Sequence, residues 1–327
     1  MKSFKSLLYA VNDRNVNDIA LRLFQYQAKN NPVYASYLYH LSINPETIDA
    51  INKVPFLPIS LFKSHVIKTG EWLAEAIFAS SGTTGNTTSQ HEIESMNFYH
   101  ENSQRSFNYL FGQISQYHIF ALMPSYLERN NSSLVAMLSS FIEKSDSEFS
   151  GYYLNEHEKL LGDIERCKKQ SDRKVLLWGV SFALLDLAEK FSPDLSGCVI
   201  LETGGMKGRR KEMIRADLHV QLKKRFNVSA IYSEYGMTEL LSQAYTKGGN
   251  SFFPPPWMKV IVREVADPFE KGLIGRPGGL NVVDLANIHS VAFIETEDAG
   301  KVFVDGSFEV MGRLDNSDVR GCNLMVE

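Results

Sequence analysis

The sequence predicts an α/β protein: a layered body with mostly parallel strands over residues 1–245, a smaller β-rich part over 246–312, and a tail over 313–327. Three observations carry this. Short apolar runs alternate with helical patterns between Ala76 and Ser233, the signature of βαβ units and a covered parallel sheet. The pattern changes after Tyr245, where Phe252-Phe253-Pro254-Pro255-Pro256-Trp257 suits neither a helix nor a central strand, and several short strand signals follow. The composition is that of a globular chain, with 44% hydrophobic and 22% charged residues.

In chain order, Ile19 to Lys29 reads as a helix stopped by Asn30-Asn31-Pro32, and the aromatic segment Val33 to Leu41 follows, its tyrosines read as packing. Asn44-Pro45 marks a helix start, with Asn as cap and Pro in the first turn. The two prolines within Val54 to Lys63 predict a rigid, extended approach to the sheet. Ala76–Ala79 reads as a buried strand, Glu94 to Gly112 as a helix, Ile119–Met123 as a strand and Leu134 to Glu143 as a helix. Val175–Val180, Gly197–Glu202 and Val228–Ser233 read as strands, separated by helices over Ser181–Ala188 and Arg210–Lys224. The β-rich part holds strand signals at Met258–Val265, Leu280–Asp284, Val291–Ile294, Val302–Val304 and Ser307–Met311.

A net charge of −4 implies no basic field for nucleic acid. Cys167, Cys198 and Cys322 are few, widely spaced and odd in number, against a disulfide framework or a structural zinc site. No apolar run approaches the roughly 20 residues that cross a bilayer, and the N-terminal run is too short for a signal peptide. The expected compartment is the cytoplasm.

The chemistry-bearing motifs are small and separated. Ser80-Ser81-Gly82-Thr83-Thr84-Gly85 packs hydroxyls and glycines into one turn, which can bring N–H groups and hydroxyls onto an anion. Its bland reading is a surface turn. Downstream stand Gly204-Gly205, Tyr235-Gly236-Met237-Thr238-Glu239, Glu297-Asp298-Ala299-Gly300 and Gly312-Arg313-Leu314-Asp315. Glu239 could equally be a helix N-terminal charge, and Arg313–Asp315 a local ion pair. The GxxxxGK[ST], GxGxxG, HExxH and GxSxG patterns are absent.

The order and spacing of these motifs resemble the AMP-forming adenylating superfamily of acyl-CoA ligases, peptide-synthetase adenylation domains and luciferases. The resemblance implies that superfamily's N-terminal-domain fold. It implies that Ser81, Gly82, Thr83, Thr84 and Gly85 cradle the outer phosphates of ATP, and that Gly204 and Gly205 lie against adenine. Tyr235, followed by Gly236, would stack on the base, Thr238 would bond the α-phosphate, and Glu239 would hold Mg²⁺, which prefers oxygen ligands. Asp298 would accept bonds from the ribose hydroxyls, and Arg313 would offer a planar donor fork to ribose or phosphate.

Within that superfamily the Pro55–Lys63 segment, Leu122 to Leu134, the Ser81–Gly85 loop and Gly312 to Leu324 resemble the acyl-protein synthetases, the LuxE-like fatty-acid–protein ligases. Members activate a fatty acid as acyl-AMP, move the acyl group to a cysteine near their C-terminus and hand it to a reductase. Cys322 stands at the matching place, beside Arg320, whose charge favours the thiolate. Its bland reading is an inert small residue. Cys198 reads as core, and Cys167 as lying on an exposed helix.

Two departures qualify the resemblance. Asn86-Thr87-Thr88 stands where the superfamily has Pro-Lys after its phosphate loop, so a cation must come from elsewhere, Lys63, Lys207 or Arg129. The sequence also ends just past the hinge motif, so the superfamily's mobile lid domain is expected to be absent. The predicted activity is ATP- and Mg²⁺-dependent conversion of a carboxylic, expectedly fatty, acid to acyl-adenylate, then transfer to a cysteine thiol. An acyl-acceptor protein or acyl reductase is the implied partner. Two rivals are an acyl- or aryl-CoA ligase of the phenylacetate type and a non-catalytic adenylate-fold subunit of an acyl reductase complex. Trp178, Phe182 and Tyr126 read either as an acyl pocket or as core.

Overall fold

The fold was analysed on a computed structural model that describes residues 2–80, 88–124, 131–204 and 213–314. The helices are α1 (Lys2–Tyr9), α2 (Val16–Asn30), α3 (Pro32–His40), α4 (Met96–Phe111), α5 (Ser133–Ser145), α6 (His157–Gln170), α7 (Ser181–Phe191) and α8 (Arg215–Phe226). The strands are β1 (Leu57–Pro58), β2 (Ala76–Ala79), β3 (Gln90–Ile93), β4 (Tyr117–Leu122), β5 (Gly151–Tyr153), β6 (Lys174–Val180) and β7 (Val199–Thr203). They continue with β8 (Tyr232–Tyr235), β9 (Ala244–Thr246), β10 (Phe252–Phe253), β11 (Met258–Arg263), β12 (Gly278–Asp284), β13 (Phe293–Val302) and β14 (Phe308–Arg313).

The chain divides into two compact units, one of Met1–Met96, Met237–Ser242 and Phe253–Glu327, the other of Asn97–Gly236 and Gln243–Phe252. This differs from boundaries at 245 and 312, because the first 96 residues group with the β-rich part.

The Asn97–Gly236 unit is the parallel α/β layer. Its strand order is β5-β4-β6-β7-β8, all parallel, with β9 added antiparallel to β8. Every residue of β4 is buried, as are all of β6 but Lys174, which explains their continuous apolar runs. Trp178 on β6 is fully buried and Phe182 opens α7 at 3% exposure, so both are core. The cysteines depart from expectation: Cys167 is buried on the inner face of α6, while Cys198 precedes β7 and is partly exposed.

The other unit is built on an antiparallel meander, β11-β12-β13-β14, with β1 added parallel to β13 through Leu57↔Ile294. The two strand signals read at Val291–Ile294 and Val302–Val304 meet in one ten-residue strand, β13, which takes in Phe293 and Ile294 of the first and Val302 of the second. Its register shifts between Ala299 and Gly300 against β14. A Cβ on Gly300 would stand 2.1 Å from the Glu309 carbonyl oxygen, so only glycine lets the strands approach there. β2 and β3 form a separate two-stranded hairpin, and Ile77 on it is 46% exposed, so this strand is not buried as expected. Asn31 caps α3 by accepting from Tyr34 N, with Pro32 in the first turn. Among the described residues, no helix is long and apolar enough to cross a membrane.

Candidate functional site

The glycine- and hydroxyl-rich residues Ser81, Gly82, Thr83, Thr84 and Gly85 lie outside the described residues, but the base from which they rise does not. Ser80 N donates to Ser89 O at 3.0 Å, and Ser89 N donates to Ser80 Oγ at 3.0 Å. This reciprocal pair closes the loop at the end of the β2–β3 hairpin. Ser89 is buried, and its hydroxyl also bonds the carboxylate of Glu239.

Glu239 is 5% exposed. Burial pushes its carboxyl above the ordinary value, while Ser89, its own backbone and the charges of Arg313 and Lys63 work in the opposite direction. The base of the loop, Glu239, Arg313 and Lys63 therefore share one neighbourhood in the Met1–Met96 unit. Asp298 joins them through the sheet, because Asp298 on β13 and Arg313 on β14 are paired residues of the antiparallel ladder. Arg313 Nη2 stands 2.7 Å from Glu297 Oε2 in an exposed pair, so its ion partner is Glu297.

The turn that carries Thr238 and Glu239 has neither helix nor strand to satisfy its main chain, and side chains take that role. His91 Nδ1 lies 2.9 Å from Thr238 O, and its Nε2 lies 2.9 Å from Ser290 Oγ. A carbonyl only accepts, so Nδ1 carries the proton and Nε2 accepts from the serine. Asn287 Nδ2 donates to Glu239 O at 2.8 Å. The Asp284 carboxylate accepts from Leu241 N at 2.9 Å, Ser242 N at 2.8 Å and Ser242 Oγ at 2.6 Å.

The other unit carries Gly204, Tyr235 and Gly236 at the C-terminal ends of β7 and β8, where open parallel sheets place ligands. Gly204 has φ +70°, a left-handed conformation that favours glycine. Gly205 lies outside the described residues. Tyr235 is buried and tilted against Phe252, ring centroids 5.7 Å apart. A Cβ on Gly236 would meet Glu234 Oε1 at 2.2 Å, so glycine there makes room for a carboxylate that Thr203 Oγ1 holds through Oε2.

Beneath this edge lies a polar cluster the sequence reading missed. Glu202, 4% exposed on β7, accepts from Ser181 Oγ at 2.7 Å and Ser233 Oγ at 2.6 Å. His219 Nε2 and Arg215 Nε stand 3.5 and 3.7 Å from Glu202 Oε1. Burial alone would raise this carboxyl; the bonds from His219, Ser233 and Ser181, with Arg215 nearby, more than offset it and hold it below its ordinary value. The available signal was a glutamate inside an otherwise apolar strand. For the turn around Glu239 it was Asp284, directly after the apolar pair Val282-Val283.

Cys322 lies outside the described residues, as do Tyr126, Arg129 and Lys207, leaving Lys63 as the described cation among the three candidates. No family model matches the chain. No curated protein matches it either. Solved structures do. The chain is similar to 2-hydroxyisobutyryl-CoA ligase in complex with 2-HIB-AMP and CoA, with TM-score 0.69 and 12% identity over 93% of this chain and 68% of that one. It is similar to ATP-bound MatB from Rhodopseudomonas palustris, with TM-score 0.55 and 16% identity over 73% of this chain. It is also similar to the long-chain-fatty-acid-CoA ligase FadD1 from Archaeoglobus fulgidus, with TM-score 0.54 and 16% identity over 74% of this chain and 52% of that one. The chain spans about half the length of MatB, 48%. At these identities the likeness establishes the fold, which is that of adenylate-forming enzymes.

Proposed function

We propose that this protein activates a carboxylic acid as its acyl-adenylate and passes the acyl group to a thiol, with Cys322 as the acyl carrier. The observation that carries the reading is the convergence of the Ser80–Ser89 loop base, Glu239, Arg313 and Lys63 in one unit, with Asp298 paired to Arg313 in the sheet. The fold is shared with an ATP-bound protein and with a ligase holding an acyl-AMP.

In this reaction a carboxylate oxygen attacks the α-phosphorus of ATP and pyrophosphate leaves. Thr238 and the loop Ser81–Gly85 bind phosphate oxygens. Arg313 and Lys63 place positive charge beside them, Lys63 taking the part of the missing loop lysine. Asp298 accepts from the ribose hydroxyls, while Gly204, Gly205, Tyr235 and Gly236 receive the base. The Cys322 thiolate then attacks the acyl carbonyl carbon, and AMP leaves with the electron pair of the broken C–O bond.

Glu239 fits Mg²⁺. Its carboxylate oxygens are the hard ligands Mg²⁺ takes, and Mg²⁺ on nucleotide phosphates needs only one or two carboxylates because it keeps its waters. When bound, the ion neutralises charge on the phosphates.

Pyrophosphate exchange with a panel of carboxylic acids tests the first step; no exchange with any acid would leave the adenylate fold without this activity. Labelled fatty acid tests the second. Cys322→Ser should still form acyl-AMP and lose the covalent label; label retained by that variant would remove Cys322 from the carrier role. A second reading, transfer to CoA, is favoured by the CoA-ligase identity of the two ligases above. It requires CoA-dependent turnover with no acyl-enzyme.

A further inference from the structure

We propose that a buried amide brace, running from the end of α2 through the turn after β12 to the Met237–Ser242 turn, positions Thr238 and Glu239. Its functional consequence rests on the activity proposed above. The brace has two tiers. In the outer tier, Gln27 on α2 is fully buried, and its Nε2 donates to Asn287 O at 2.8 Å, with Ile288 O at 3.3 Å and Ser290 O at 3.4 Å also facing it. Gln27 Oε1 accepts from Ala292 N at 2.9 Å. Asn31, also fully buried, donates from Nδ2 to Ser290 O at 3.0 Å. One glutamine thus engages several main-chain groups of a single turn, fixing where its side chains emerge.

The inner tier is what that turn presents. Asp284, Asn287 and Ser290, the last through His91, meet the main chain of the Thr238–Ser242 segment by the bonds described above. Asn287 Oδ1 adds an acceptor 3.2 Å from Leu241 N. Nearly every bond goes to a carbonyl or an N–H of the turn, so these residues act on the backbone of Thr238 and Glu239 and not on their side chains. A turn with no ladder partner keeps its shape only while these side chains hold it. Gln27, Asn31, His91, Asp284, Asn287 and Ser290 are positioning residues, acting through the backbone of the two that meet nucleotide and metal.

Asn287→Asp keeps the shape and replaces the donor facing Glu239 O with an acceptor; Gln27→Leu removes the outer tier. Amide hydrogen exchange of the full chain, read by mass spectrometry, should show the 237–242 peptide exchanging at least tenfold faster in Asn287→Asp. In Gln27→Leu it should be about threefold faster, with β11 amides unchanged in both. In pyrophosphate exchange, kcat should fall at least tenfold in Asn287→Asp, with KM for the carboxylic acid unchanged and the Mg²⁺ midpoint raised. Unaltered exchange at 237–242, or equal loosening of β11, overturns the brace. A parent protein with no pyrophosphate exchange would overturn the proposed activity instead, while the amide measurement still decides the brace.

Discussion

His91 should make the Met1–Met96 unit lose stability as the pH falls from 7 to 5. It is 1% exposed, and burial drives its imidazole from 6.5 to about 4, the bond to Thr238 O opposing only part of that. The folded value is depressed, so below pH 6.5 the unfolded chain binds a proton that the folded one does not. Stability from this group is complete above 6.5 and is lost as pH falls toward 4. At roughly 1.4 kcal/mol per pKa unit, the whole shift corresponds to about 3 kcal/mol, of which about 2 kcal/mol has gone by pH 5. His91→Gln cannot titrate, yet its amide can donate to Thr238 O and accept from Ser290 Oγ. The assay is urea unfolding at pH 7 and pH 5, followed by tryptophan fluorescence in a Trp178→Phe background. Only Trp72 and Trp257, both in this unit, then report. His289, also lowered to about 4 chiefly by burial, titrates in both proteins and cancels. The parent should lose about 2 kcal/mol more than His91→Gln between the two pH values. Equal losses would show that His91 titrates as an exposed histidine and would refute the buried-tautomer reasoning.

Arg313→Gln breaks an exposed ion pair worth less than about 1 kcal/mol, so the melting temperature should hardly move. Pyrophosphate exchange should nonetheless fall on the order of 10²-fold. Glu239→Gln removes a charge that burial disfavours, so thermal stability should hold or rise while exchange is lost. Gly300→Ala drives a methyl into the Glu309 carbonyl; calorimetry should find a loss of about 1–3 kcal/mol. The ladder that aligns Asp298 with Arg313 should loosen with it, which a weaker ATP affinity would report.

Sequence legibility followed the range of the interactions. The parallel strands were readable because residues such as Leu176, Leu177 and Trp178 are buried on both faces, which leaves an unbroken apolar run. β13 was not, because Glu295, Glu297 and Asp298 interrupt its apolar pattern in mid-strand, and the ladder continues through them. Ala76–Ala79 looked like a covered strand, since an apolar tetrapeptide carries no mark of whether its second face is covered. Cys167 was misplaced because its basic neighbours Lys168 and Lys169 follow it on the outward faces of the same helix. The motif residues were legible as local strings. Their supports were not: a glutamine on an early helix shows no local trace of the carbonyls it meets hundreds of residues later.

That separation bears on how the protein is made. Gln27 and Asn287 are 260 positions apart. A ribosome adding about 5–20 residues per second would finish the second partner roughly 13–50 s after the first. The parallel layer, nearly continuous from Asn97 to Gly236, is synthesised within that interval and holds most of its own partners. The segment before it must keep two buried amides, Gln27 and Asn31, without their carbonyls until Asn287 and Ser290 emerge. The nascent protein is then exposed to aggregation at its N-terminal helices, and Thr238 and Glu239 take their final places only after the turn that carries Asn287 has been made.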